Sequence, residues 1–207
     1  MNKEIKTKEY EHLLETDNWF NYAPFYEWIV KENPQFKTFA EVGVWKGHSI
    51  AYLASKLKER EDVQLYAIDL WEETYKYDGI NHGTIELAKQ KKFLYEIYQT
   101  NVERAGVRDI IKDYKECSWE AASNFEDESL DFVFIDAGHE YDEVTKDIEA
   151  WLPKVKPTGI ISGHDYHEMD GNKVKKAVDD KFSKLTNKLY SWGPCWCVYK
   201  QDVNEKI

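Results

Sequence analysis

Residues 38–50 read TFAEVGVWKGHSI, and residues 65–71 then read LYAIDLW. An apolar run carries Glu41 near its end, and two glycines, Gly43 and Gly47, open a helical pattern. A second apolar run ends in Asp69. A strand–loop–helix–strand unit of this kind presents bare backbone to a nucleoside-containing ligand and an acid to its ribose. The glycines allow the tight turn and the close approach of the ligand. Asp69, at the carboxyl end of its strand, is expected to accept both ribose hydroxyl protons. The spacing departs from the dinucleotide fingerprint, because Val44-Trp45-Lys46 does not supply G-x-G-x-x-G. There is no G-x-x-x-x-G-K-[ST] phosphate loop either, so the turn fits a ligand with no pyrophosphate to cradle.

Strand and helix signals alternate from this unit onwards. Lys37–Val42 and Val63–Asp69 read as strands, with His48–Arg60 as the helix between them. A loop over Leu70–Gly83 leads to a long helix over Thr84–Ala105. Asp109–Asp113 is a weak strand, and Ser118–Phe125 a short helix with Ser118 as its N-cap. Leu130–Asp136 is a nearly continuous apolar run, as expected for a strand covered on both faces. Tyr141–Leu152 is a helix with Tyr141, Val144, Ile148 and Trp151 on one stripe. Gly159–Gly163 is a strand and Lys173–Phe182 a helix. Leu189–Trp192 and Trp196–Lys200 form a closing hairpin around Gly193-Pro194. The fold class this predicts is α/β: a doubly wound, mainly parallel seven-stranded sheet with an antiparallel C-terminal edge. Residues 1–36 form an aromatic-rich helical segment, a lid or a packing element, ahead of a ligand-binding domain over 37–207.

With 207 residues, 42% hydrophobic and 15% aromatic, the chain suits one globular domain. A net charge of −11 argues against a nucleic-acid partner, whose non-specific binding rests on Lys and Arg. No apolar signal segment opens the chain, and no run is long enough to span a bilayer. Three cysteines, Cys117, Cys195 and Cys197, cannot all pair with one another, which fits a reducing cytoplasm. Self-association of the chain stays open.

The fourth strand ends Phe134-Ile135-Asp136-Ala137-Gly138-His139, and the fifth ends Ile161-Ser162-Gly163-His164-Asp165. Neighbouring strand ends bring Asp136 and Asp165 together, where two carboxylates repel unless a proton or cation intervenes. Mg²⁺ is the default hard cation there. A ring nitrogen from His139 or His164 tilts the choice towards Mn²⁺, Fe²⁺ or Zn²⁺. His139 also has the intrinsic basicity of a general base. The plainer reading has Asp136 capping a turn and His139 bonding a carbonyl.

Here a resemblance emerges. The E-x-G-x-x-x-G turn resembles the first motif of class I S-adenosylmethionine-dependent methyltransferases. F-I-D-A-G-H-E-Y-D-E-V followed by G-I-I-S-G-H-D-Y resembles a small branch of that class, which includes the mycinamicin- and macrocin-type sugar O-methyltransferases of macrolide biosynthesis. The resemblance covers about residues 37–200. It implies S-adenosylmethionine as cofactor, with Gly43 and Gly47 along its methionine part, Glu41 near its amino group and Asp69 on its ribose. It places adenine beside Ser118 and Trp119, whose plainer readings are a helix cap and core packing. It implies that Asp136 and Asp165 hold Mg²⁺, Asp136 also bordering the cofactor, and that His139 is the base. Those enzymes carry a second acid where this chain has His164, which leaves a metal set of Asp136, Asp165 and His164 and the choice of Mg²⁺ or Mn²⁺ open.

The reaction so implied is methyl transfer to the hydroxyl of a small acceptor, a sugar or other polyhydroxylated compound, activated by His139, a metal or both. The N-terminal aromatics and the loop Trp71–Gly83, with Tyr75, Tyr77 and His82, are placed to cover the site. The rival readings are an NAD-dependent oxidoreductase, a non-catalytic cofactor- or glycan-binding protein, and a DNA or RNA methyltransferase. The absent dinucleotide fingerprint, the poised His139–Asp165 cluster, and the lack of an N/D-P-P-Y motif argue against them in turn.

Overall fold

A computed structural model of the chain describes residues 19–71, 93–167, 171, 173–185 and 189–204. Helix α1 (Ala23–Glu32) precedes β1 (Thr38–Val42), α2 (His48–Leu57) and β2 (Gln64–Asp69). Then come α3 (Leu94–Arg104), β3 (Ile111–Lys115), α4 (Ser118–Ala121), β4 (Leu130–Ile135) and α5 (Tyr141–Trp151). Strand β5 (Val155–Gly163), α6 (Lys173–Lys181), β6 (Leu189–Trp192), β7 (Cys195–Tyr199) and α7 (Lys200–Asn204) complete the order. The seven strands form one sheet in the order β3-β2-β1-β4-β5-β7-β6. The first five are parallel, and β7 runs antiparallel to both β5 and β6. The expected doubly wound sheet with an antiparallel C-terminal hairpin is therefore present. The last strand threads between β5 and β6, so β6 is the edge.

Strand β4 lies at the centre, and all six of its residues are buried. Its alternate side chains feed two cores. Phe132 and Phe134 meet α1, α2 and α3, while Val133 and Ile135 meet α4, α5 and α6. In α1, Pro24 sits in the first turn, where a missing N–H costs nothing. Phe25, Tyr26 and Ile29, spaced for one helix face, are fully buried. Burying each such side chain stabilises the fold by about 1.5–3 kcal/mol.

Three boundaries differ from the sequence expectation for identifiable reasons. The turn Arg108–Ile110 is a 3₁₀ helix, which delays β3 to Ile111. Strand β5 starts at Val155, four residues before Gly159, and its pairing with β4 slips between Leu130 and Phe132. That irregularity accommodates Pro157, which strands tolerate at bulges. Ser118 is the first residue of α4, after Cys117 at the cap position, and its side chain makes no cap. Of the expected N-terminal helices, the described residues contain α1. Of the helix expected over 84–105 they contain Leu94–Arg104. Tyr75, Tyr77, His82 and most of the loop over 70–83 lie outside the described residues.

Candidate functional site

Val42 stands level with Ile68 and Ile135, and Ile135 level with Gly163. Four neighbouring parallel strands thus end on one rim, and Gly43, Asp69, Asp136, His164 and Asp165 follow or close them. Gly43 has φ +87°, and a Cβ there would lie 2.1 Å from the Asp136 carbonyl oxygen. The exits of β1 and β4 therefore touch backbone to backbone. Gly47 (φ +80°) stands at the N-cap of α2 and packs beneath the Tyr98 ring, 2.6 Å from an added Cβ.

Asp69 stitches this rim together. Its Oδ2 accepts the Val44 and Trp45 amides, each at 2.8 Å, and its Oδ1 accepts the Trp71 amide at 2.9 Å. A carboxylate offers about four lone-pair positions, so at most one is left for a ribose hydroxyl, not the two expected. Burial raises the Asp69 pKa, against the lowering effect of these amides. Gly43, Trp45, Asp69, Trp71, Ser118, Trp119 and Asp136 border one cleft of about 770 Å³, measured out to its mouth. Glu41 and Gly47 stand behind its wall. Glu41 is 2% exposed and accepts the hydroxyls of Tyr26, at 2.7 Å, and Ser49.

A second, smaller cavity adjoins the cleft and shares Asp136, Ala137 and Gly138 with it. Its polar walls are His139, His164 and Asp165. Asp165 has φ +56°, a strained backbone for a residue with a side chain. Its Oδ2 lies 3.0 Å from His139 Nε2 and 3.2 Å from His164 Nδ1, and its Oδ1 lies 3.3 Å from His167 Nε2. Burial works to raise the Asp165 carboxyl, but the bonds from His139 and His164 outweigh it and hold it well below the usual range. His164 Nδ1 is also 3.5 Å from Asp136 Oδ1. Burial opposes its charge, yet the two acids push its pKa up to about 10. The bond to Asp165 likewise raises His139, against burial. His164 thus stands between the two acids as their counter-charge. The set whose donor atoms all lie within 4.8 Å of one another is Asp136, His139 and Asp165, with His139 where the sequence reading put His164.

A family model described as a methyltransferase domain matches residues 40–166. The chain belongs to that family. The methyltransferase superposes on the O-methyltransferase NovP with a TM-score of 0.62 at 15% identity, covering 86% of this chain and 76% of that one. The O-methyltransferase TomG of Streptomyces achromogenes, solved with SAM, gives 0.62 at 13% identity, over 96% of this chain and 90% of TomG. An O-methyltransferase of Bacillus cereus, solved with SAH, gives 0.61 at 16%, over 95% and 89%. At these identities the likeness is one of fold. A curated relative, "Uncharacterized protein y4gI" of Sinorhizobium fredii (strain NBRC 101917 / NGR234), is 22% identical over 148 residues. The match spans 71% of this chain and 15% of that protein. No helix among the described residues is long and apolar enough to cross a membrane.

The sequence reading placed the N-terminal aromatics and the loop from Trp71 over the site of the methyltransferase, but not the individual contacts. Tyr22 donates its hydroxyl to Asp136 Oδ2 at 3.1 Å, and Asn21 Oδ1 lies 3.1 Å from His164 Nε2. Both precede α1, far from the rim in sequence. Trp45 and Trp71 border the cleft with positive φ, 52° and 44°, a conformation that sequence does not announce in a tryptophan.

Glu41 makes a pH prediction. Burial pushes its pKa up to about 8, against the bonds from Ser49 and Tyr26 and with the charges of Asp136 and Asp69 adding to the rise. The folded state holds the proton that an unfolded Glu releases near 4.5. Stability from this group is therefore complete below that value and is lost as pH rises to about 8, by roughly 3–5 kcal/mol in all. Glu41→Gln keeps the shape without the titration. Urea unfolding should show the variant gaining on the wild type between pH 5.5 and 8. Parallel pH profiles would contradict this.

Proposed function

We propose that this methyltransferase uses S-adenosylmethionine to methylate a hydroxyl of a small polyhydroxylated acceptor, a sugar being the best fit. The observation that carries the reading is the shared wall of the two cavities. Asp136, Ala137 and Gly138 border both the cleft and the acid–histidine cavity, so a donor in the first lies next to an acceptor that reaches the second. When bound, S-adenosylmethionine supplies an electrophilic methyl group on its sulfonium. Asp69 takes a ribose hydroxyl, the Gly43 turn gives the ligand access to backbone, and Ser118 and Trp119 border the base. The aromatic faces of Trp45 and Trp71 suit a sulfonium cation.

An alcohol needs activation to act as a nucleophile. Asp165 holds His139 at Nε2, which leaves Nδ1 to accept the hydroxyl proton. The close grouping of Asp136, His139 and Asp165 supports a second role, as ligands. Two carboxylates and an imidazole suit Mn²⁺ as well as Mg²⁺. When bound, such a cation lowers the pKa of an acceptor hydroxyl, and a vicinal diol matches it best.

The test is transfer of a labelled methyl group from S-adenosylmethionine to a panel of sugars and catechols, with Mn²⁺ or with excess chelator. Transfer to a vicinal diol is expected, falling at least about tenfold in chelator and restored by Mn²⁺. Asp136→Asn and Asp165→Asn should each weaken Mn²⁺ binding. Full turnover in chelator would assign the activation to His139 alone. No transfer to any hydroxyl, with the donor demonstrably bound, would overturn the reading.

A further inference from the structure

Ser118 borders the donor cleft and is clamped from α5 at both ends. Its hydroxyl donates to Asp147 Oδ1 at 2.5 Å, and its carbonyl accepts Trp151 Nε1 at 3.0 Å. Asp147 and Trp151 stand one helical turn apart, and both are 0% exposed. Among the described residues the second oxygen of Asp147 has no hydrogen-bond partner. A buried carboxyl with a single polar partner is a costly way to fill space. Burial pushes its pKa up to about 7, against the bond from Ser118 and with the Glu143 charge adding to the rise.

The polarity of that bond reaches the cleft. A serine hydroxyl has one proton and two lone pairs. With its proton given to Asp147, Ser118 can only accept from a ligand. The other landmarks say which part of a ligand that is. The cleft adjoins the smaller cavity along Asp136, Ala137 and Gly138, and on the S-adenosyl reading Asp69 marks the ribose. On the same reading the base lies along Cys117, Ser118 and Trp119, which border the same cleft.

We propose that Asp147 is a positioning residue that sets the polarity of Ser118 and so selects a base bearing an amino group, adenine, over one bearing a carbonyl, hypoxanthine. The inference rests on the S-adenosyl reading above. The exocyclic amine donates to the Ser118 lone pairs, whereas a carbonyl oxygen there meets them and repels.

The experiment compares S-adenosylhomocysteine with S-inosylhomocysteine by calorimetry at pH 8, where the Asp147 carboxyl is ionised. The wild type should prefer the adenosyl ligand by about 10²-fold or more, as sites built for one hydrogen-bond polarity do. Asp147→Leu keeps a similar size, removes the acceptor and frees the serine proton for the cleft. The preference should then fall at least about tenfold, mostly through tighter inosyl binding. Ser118→Ala should bind the two ligands nearly alike. Circular dichroism and thermal melts establish that each variant is folded. An unchanged preference in folded Asp147→Leu would overturn the proposal and leave Asp147 a packing residue. A wild type that binds neither ligand would overturn the S-adenosyl reading itself, and this proposal with it.

Discussion

His139→Ala is expected to lower kcat by about 10²–10⁴-fold, the size of a general-base contribution, with affinity for S-adenosylhomocysteine nearly unchanged. The split follows from where the side chain lies. His139 borders the smaller cavity and is not among the residues that line the cleft, the two sharing Asp136, Ala137 and Gly138. Its ring is held by Asp165 at 3.0 Å, so Asp165→Ala should lose much of the same activity by releasing the ring. His164→Ala should behave differently. His164 is the counter-charge between Asp136 and Asp165, and its loss should leave those acids to be neutralised by added Mn²⁺. Activity of that variant should therefore depend on Mn²⁺ more steeply than that of the wild type. Near wild-type kcat in His139→Ala would move the base elsewhere, with His167, 3.3 Å from Asp165, the next residue to change.

The second large effect is on the fold. A side chain at Gly43 damages the rim before it can block a ligand. The geometry assigns the damage to folding. Even the Cβ of alanine would lie 2.1 Å from the Asp136 carbonyl oxygen and 2.6 Å from the Ala137 Cα, at φ +87°. Both contacts are backbone in the rim, so relief requires the exits of β1 and β4 to separate. Adding the cost of positive φ, about 1–2 kcal/mol, to that of overpacking, about 1–3 kcal/mol, gives roughly 2–5 kcal/mol for Gly43→Ala. For a chain of this length that is a fall in Tm of roughly 5–20 °C. Gly106 is the internal control, because it has φ +65° but nothing within 4 Å of its Cβ position. Gly106→Ala should cost only the backbone part. Equal melting temperatures for the two variants would contradict the close approach.

What the sequence made legible follows from physics that acts locally. The apolar run through Phe132 and Phe134 could only be a strand covered on both faces, and it is the centre of the sheet. Gly193-Pro194 between aromatic stretches could only be a turn, and it joins β6 to β7. The rim of acids was legible because parallel strands align their carboxyl ends. What stayed hidden depends on partners distant in the chain. Glu41 has the pattern of a ligand contact, yet Tyr26 and Ser49 occupy it. Ser118 looks like a helix cap until Asp147, on another helix, takes its proton. The repulsion between Asp136 and Asp165 suggested a cation, and the histidine beside them supplies the counter-charge. The early start of β5 was masked by Pro157 and Gly159, which usually end strands and here sit at an irregularity in the ladder.

The central claim is that the cleft along Gly43, Asp69 and Ser118 is built for an S-adenosyl ligand. Calorimetric titration of the metal-free protein with S-adenosylhomocysteine, and separately with NAD, tests it most directly. The account predicts saturable binding of S-adenosylhomocysteine and no comparable response to NAD, because no G-x-G-x-x-G turn is present to cradle a pyrophosphate. It also predicts that Asp69→Ala weakens that binding by at least about 1.5–3 kcal/mol, because a charge-assisted hydrogen bond to ribose is lost together with the anchor of the Val44, Trp45 and Trp71 amides. Tight binding of NAD, with no heat from S-adenosylhomocysteine, would contradict it.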